Sequence, residues 1–158
     1  MTELAELFGA AVIVPDAGHC EVPAAFERFG EMDRGSYEFV RDVAVPPSLV
    51  ALAARATGRS LAVESSRVLR LRAGDYVLAH HDLPSEGNPV EITLDLSPAI
   101  VPGAEVHYRR RGQVFFRFPS QPGALAIVER GATVTCNHTY VSKLQPNAVV
   151  VRLIALLR

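Results

Sequence analysis

From Leu61 onward the apolar residues recur with a period of two. Leu69 and Leu71 alternate with Arg70 and Arg72, while Ile92, Leu94 and Leu96 alternate with Glu91, Thr93 and Asp95. Neighbouring side chains on a strand point to opposite faces, so each run predicts a strand with one apolar and one polar face. Further strand-like runs are residues 76–82, 105–108, 114–118, 124–128, 133–141 and 148–157. Turn signals separate them: Ala73-Gly74-Asp75, residues 84–89, Pro102-Gly103, Arg111-Gly112 and Gln121-Pro122-Gly123. About eight strands in roughly a hundred residues, with no helix between them, predict an antiparallel sandwich, barrel or jelly roll.

The first sixty residues carry a different pattern. Residues 2–8 predict a turn or two of amphipathic helix, and Val12-Ile13-Val14 a short strand ended by Pro15. Pro23 suits a first helical position, because its missing amide has no partner there anyway, and Phe26 and Phe29 would share the buried face. Leu49, Leu52, Ala53 and Ala56 fall at helical spacing over Pro47–Thr57, with Gly58 placed for a left-handed cap. The expectation is one α+β domain over residues 1–158, mainly β. Residues 1–60 form a helical support region packed on one sheet of a core over 61–158.

Composition narrows the function classes. The chain has 158 residues, 49% hydrophobic and 21% charged, which excludes a predominantly disordered state. Sixteen basic and seventeen acidic residues leave a net charge of -1, with no global electrostatic case for nucleic acid. Two cysteines make no disulfide framework. Acids stand where a signal peptide needs early positive charge, and the C-terminal apolar run is interrupted by Arg152. A soluble cytoplasmic protein without a membrane span is expected. Its oligomeric state is open, and an exposed sheet edge would permit a homodimer.

The candidate chemistry begins in Gly74-Asp75-Tyr76-Val77-Leu78-Ala79-His80-His81-Asp82. On a regular strand His80 and Asp82 share a face, with Tyr76 and Leu78 behind them and His81 opposite. An imidazole and a carboxylate suit a divalent first-row metal, and one more imidazole would complete a two-His-one-carboxylate triad with open positions. His138 and His107, each in a predicted strand, are the available third ligands. Cys136 shares the face of His138 and serves packing or lines the same pocket.

The ordered set of segments resembles the Fe(II)/2-oxoglutarate-dependent oxygenase superfamily, of the prolyl-4-hydroxylase-like kind. The matching pieces are the glycine-led strand into His80-His81-Asp82, Pro102-Gly103-Ala104-Glu105-Val106, Gln121-Pro122-Gly123 before residues 124–128, and His138 followed by Arg152 in a terminal apolar strand. The resemblance covers residues 45–158. It implies a double-stranded β-helix (jelly roll) holding Fe(II) with His80, Asp82 and His138. It further implies 2-oxoglutarate as co-substrate, its far carboxylate on Arg152 and a further hydrogen bond from Tyr76. O2 would then drive hydroxylation of a peptide or small-molecule substrate, with succinate and carbon dioxide released.

Two other functions share this framework: a cupin-like metalloprotein using the same ligands without 2-oxoglutarate, and a binding module that kept the fold and lost the chemistry. A buried arginine needs a carboxylate, and Asp95 or Glu105 would supply one if 2-oxoglutarate does not. Lys143 is an outward-facing substitute anchor. Arg109-Arg110-Arg111 reads as a solvated hairpin tip, and Phe115, Phe116 and Phe118 as core.

Overall fold

The structure, a computed structural model, describes residues 9–15, 20–80 and 87–158, with His80 described by its backbone alone. From residue 63 on, eight strands follow one another. They are β4 (Val63–Arg72), β5 (Tyr76–His80), β6 (Val90–Asp95), β7 (Val106–Arg110), β8 (Gln113–Phe118), β9 (Leu125–Glu129), β10 (Val134–His138) and β11 (Val149–Leu157). Before them come β1 (Ala10–Ile13), β2 (Glu27–Glu31), β3 (Gly35–Arg41) and a helix, α1 (Pro47–Thr57).

The strands build two facing walls. One runs β1-β9-β6-β11-β4 and the other β5-β10-β7-β8, with β3 joining them at one side. Apart from the β7–β8 hairpin, the chain from β4 to β11 passes from one wall to the other with each strand, which makes a double-stranded β-helix. β3 holds β2 along one edge. Its other edge takes β4 through Glu38–Arg41 and β5 through Gly35 and Ser36. β4 and β5 therefore lie end to end along β3, joined at the Ala73-Gly74-Asp75 corner. Asp75 pins that corner: its buried carboxylate accepts from Arg28 at 2.6 and 3.1 Å, from the Ser36 hydroxyl and from the Arg72 amide.

α1 keeps its expected bounds. Pro47 opens it, and Gly58 closes it at φ 68°, a left-handed conformation that costs glycine nothing. Leu49, Ala53 and Ala56 bury against Val68, Val90, Ile92, Leu94, Val151 and Leu153 on the outer face of the first wall. The other expected N-terminal elements fare differently. Residues 2–8 lie outside the described residues. No helix opens at Pro23: residues 20–26 have no regular structure and 27–31 form β2. Alternating Tyr37 and Phe39 in β3 offer a partner strand, and Phe29 stacks on Tyr37 with ring centres 5.0 Å apart. Pairing with β3 prevails over the local helical spacing. No helix among the described residues is long and apolar enough to cross a membrane.

β6 overturns the usual direction of its two faces. Ile92 and Leu94 face outward to α1, while Glu91, Thr93 and Asp95 are buried. The polar half of this alternating strand lines the space between the walls.

Gly35 sits where β3 crosses to β5. A Cβ there would lie 2.7 Å from the Tyr76 carbonyl oxygen and 3.2 Å from the Val77 Cα, both backbone atoms. Gly35→Ala is expected to destabilise the protein by about 2 kcal/mol through overpacking, read from its urea midpoint. An unchanged midpoint would show that β3 and β5 separate there without cost.

Candidate metal centre

β5 and β10 lie side by side, with Val77 opposite His138 and His80 opposite Cys136. Three steps along β5 match two along β10, so β5 is bulged between Val77 and His80. The extra residue shifts the phase. Val77 is buried, Leu78 and Ala79 are both exposed, and position 80 returns to the face of Cys136 and His138. Strict alternation would have put Tyr76 and Leu78 on the face of His80, and the bulge removes that arrangement. Tyr76 lies on the outer face instead, donating its hydroxyl to the Met32 carbonyl at 3.0 Å with its ring 6.4 Å from Tyr140. Asp82 and His81 lie outside the described residues.

His138, 3% exposed, and Arg152, 2% exposed, meet between the walls. Arg152 Nη1 lies 2.9 Å from His138 Nδ1, and Nη2 donates to the Ala104 carbonyl at 3.2 Å. A guanidinium only donates, so Nδ1 accepts and the neutral ring carries its proton on Nε2. Arg152 Nε is buried with no hydrogen-bond partner among the described residues. Burial pulls the Arg152 pKa below its ordinary value, and Asp95 opposes this from a distance. Asp95 stands directly across from Arg152 on β6 but forms no ion pair with it. Its two oxygens accept the amides of Ser97 at 2.9 Å and Gln121 at 2.8 Å.

The remaining candidates separate cleanly. His107 stands opposite Asn137, on the other face of the sheet from His138, and its Nε2 lies 2.8 Å from Glu105 Oε1. That contact removes His107 as a ligand beside His138, and Glu105 as the carboxylate for Arg152. Lys143 is exposed, as expected. Burial, helped by Glu91, pushes the Cys136 thiol up to about 12 against the opposing charges of Arg130, Arg67 and Arg152. Among the described residues no three His, Cys, Asp or Glu side chains converge on a metal position.

A second polar group lies between the walls. Glu91 accepts from the Tyr108 hydroxyl and from Arg130 Nη1, each at 2.7 Å. Thr93 Oγ1 lies 3.2 Å from the Tyr108 oxygen, and Arg130 Nη2 donates to the Val134 carbonyl at 3.2 Å. Burial works against the charge of Arg130, but Glu91 holds its pKa above the ordinary value. Burial, with Glu91 close by, raises the Tyr108 pKa well above its own. Sequence reasoning missed this network. Its one signal was the Glu91-x-Thr93-x-Asp95 alternation, which resembles a solvent face.

No protein-family model and no curated protein matches the chain. Solved structures do. An oxidoreductase of the 2OG-Fe(II) oxygenase family from Burkholderia pseudomallei aligns with 98% of this chain and 87% of its own, at 12% identity and TM-score 0.71. The epimerase SnoN from nogalamycin biosynthesis, in complex with Fe3+, alpha ketoglutarate and nogalamycin RO, aligns over 85% of this chain and 68% of its own (16% identity, TM-score 0.64). The viral collagen prolyl hydroxylase of Paramecium Bursaria Chlorella virus-1, a 2OG complex, aligns over 79% and 80% (10% identity, TM-score 0.60).

The fold is that of the 2OG-Fe(II) oxygenases. At these identities the likeness is one of architecture, and within this oxygenase fold the chain's own interior residues must be judged individually. The Glu91–Arg130 pair is the firmest of them. Glu91→Ala leaves Arg130 charged, buried and unpaired, and is expected to destabilise the fold by about 3–5 kcal/mol. Chemical denaturation measures this, and a loss below about 1 kcal/mol would mean that water reaches Arg130 freely.

Proposed function

We propose that residues 1–158 form a single Fe(II)- and 2-oxoglutarate-dependent oxygenase domain. It binds Fe(II) through His80, Asp82 and His138 and holds the far carboxylate of 2-oxoglutarate on Arg152. Its prime substrate is a peptide or small molecule that it hydroxylates in the cytoplasm. The observation that carries this reading is the buried Arg152 guanidinium, which lies against His138 and, among the described residues, has one N–H unpartnered and no carboxylate bound to it. The barrel interior has every reason to neutralise that charge, and a carboxylate from a ligand does so through paired N–H donors.

The residues fit the group. Two imidazoles and one carboxylate form a donor set for a divalent first-row metal with positions left open. His80 stands opposite Cys136, two residues along β10 from His138, and Asp82 follows two residues after His80. Fe(II) with 2-oxoglutarate and O2 supplies the oxidation of a C–H bond, the co-substrate leaving as succinate and carbon dioxide. The part of the protein is to orient and exclude. Ligation through Nε2 of His138 and a hydrogen bond from Arg152 to Nδ1 require opposite tautomers of the ring, so they exclude each other. Were His138 to hold the metal through Nε2, its Nδ1 would carry the proton and would no longer accept from Arg152, which would free Nη1 for a carboxylate. Tyr76, expected as a second donor to the co-substrate, has its hydroxyl on the Met32 carbonyl, which leaves the anchoring to Arg152.

Two measurements test the reading. Anaerobic calorimetry with Fe(II) is expected to show one bound ion per chain, with affinity falling about a hundredfold or more in His138→Ala and in Asp82→Ala. Parent-like metal binding in both variants would overturn the ligand set. Adding 2-oxoglutarate to the anaerobic Fe(II) protein is expected to produce a weak visible charge-transfer band. Arg152→Leu should raise the concentration needed by about tenfold or more. Metal binding with no band at any concentration would favour the cupin-like reading.

A further inference from the structure

β4 carries three arginines in its second half, and they meet different fates. Arg70 and Arg72 pair with Glu38 on β3, and Arg70 also covers the Phe26 ring. Arg67 keeps the phase of Leu69 and Leu71, which are buried between the walls, and it stands opposite the buried Ile154 of β11. It is half-buried, and among the described residues its guanidinium has no hydrogen bond and no ion pair. Directly across from it on β3 is Arg41. Arg41 is exposed, its guanidinium lies 5.2 Å from the Phe39 ring centre, and it too has no hydrogen bond or ion pair among the described residues.

Residues directly opposite in an antiparallel pair lie on the same face, and like charges so placed destabilise the sheet. Two unpaired arginines on the inner face of neighbouring strands are thus an unfavourable arrangement until an anion joins them. Their place decides which anion. Arg67 precedes Leu69 by two residues on the same face of β4, and Leu69 stands opposite Arg152, which meets His138. The pair borders the candidate metal centre, on the β4 side, while Arg152 lies one inward-facing position deeper along β4, opposite Leu69.

We propose that Arg67 and Arg41 bind a carboxylate of the prime substrate, so that the protein acts on a small carboxylic acid. This rests on the oxygenase reading above and names its substrate class. Two guanidinium forks carried by directly opposed positions of β3 and β4 suit a planar two-oxygen anion, and the apolar side chains of Leu69, Ile154 and Phe39 on the same face suit its hydrocarbon part.

The test uses the full chain with 15N-labelled arginine, following the Nε–Hε signal of Arg67. That signal is assigned as the one lost in Arg67→Gln, or in Arg67→Lys if the first variant does not fold. Benzoate is the probe, benzamide its uncharged control and inorganic phosphate the competing anion. A saturable shift with benzoate, absent with benzamide and weakened about fivefold or more in Arg41→Gln, is the expected result. No shift with benzoate, or a response to phosphate alone, overturns the proposal. Calorimetry with 2-oxoglutarate on the metal-loaded protein keeps the two readings apart. Arg67→Gln is expected to hold the parent affinity within about twofold, and a loss of about tenfold would put Arg67 in the co-substrate's own site and overturn the proposal. A parent protein that binds benzoate but neither metal nor 2-oxoglutarate would instead fail the oxygenase reading.

Discussion

A positive charge held between two sheets, with no carboxylate against it among the described residues, is the constraint around which this molecule is arranged. Taking a guanidinium out of water costs several kcal/mol unless an opposite charge and full hydrogen bonding compensate. The barrel holds two such groups and treats them differently. The charge of Arg130 is met by Glu91, whose second oxygen is taken by Tyr108, although among the described residues its Nε, like that of Arg152, has no partner. Arg152 receives a ring nitrogen and a backbone carbonyl, and its natural protein partner, Asp95, is tied to two backbone amides. One charge is part of the framework, and the other is left available.

The walls make that difference possible. Tyr108 comes from β7 and Glu91 from β6, so their hydrogen bond ties one wall to the other. His138 and Arg152 repeat the cross-wall contact nearby. The Asp75 corner sets where β4 ends and β5 begins, and the bulge in β5 returns position 80 to the inner face after two exposed residues. A bulge re-aims a side chain without moving the rest of its sheet, which is why such features gather beside sites.

Much of this was legible from residue order, for identifiable reasons. The strands after residue 61 alternate, as in β4 and β6, or run almost continuously apolar, as in β9 and β11, and glycine and proline turns separate most of them, so strand pattern and turn chemistry agreed. α1 has both end signals and a full apolar stripe. That β5 and β10, the strands carrying His80 and His138, lie side by side followed from their strand patterns together with the family resemblance. What stayed hidden depends on partners rather than on local pattern. Pro23 to Phe29 carries helical spacing, yet β3 claims residues 27–31 because paired backbone and the Phe29–Tyr37 stack outweigh a weak propensity. The inward turn of Glu91, Thr93 and Asp95 cannot be read from alternation, which marks two faces without saying which one meets water. The bulge that sets Tyr76 apart from His80 leaves no trace in composition.

His138 and Arg152 are fourteen residues apart, and parity rather than that count brings them together. β11 alternates between two very different surroundings. Val151, Leu153 and Ala155 pack under α1 with Leu49 and Ala53, while Val150, Arg152 and Ile154 face the opposite wall. Lengthening the 139–148 connection by one residue moves no side chain in β11 as long as its pairing with β4 and β6 holds, because that pairing is set by the apolar side facing α1. Slipping the strand by one position would bury the guanidinium among Leu49, Ala53 and Val68, where no acceptor exists among the described residues, and would strip α1 of its partners. The cost of that slip holds Arg152 against His138. The distance along the chain between the two residues is therefore free to vary, while the face of β11 that carries the arginine is not.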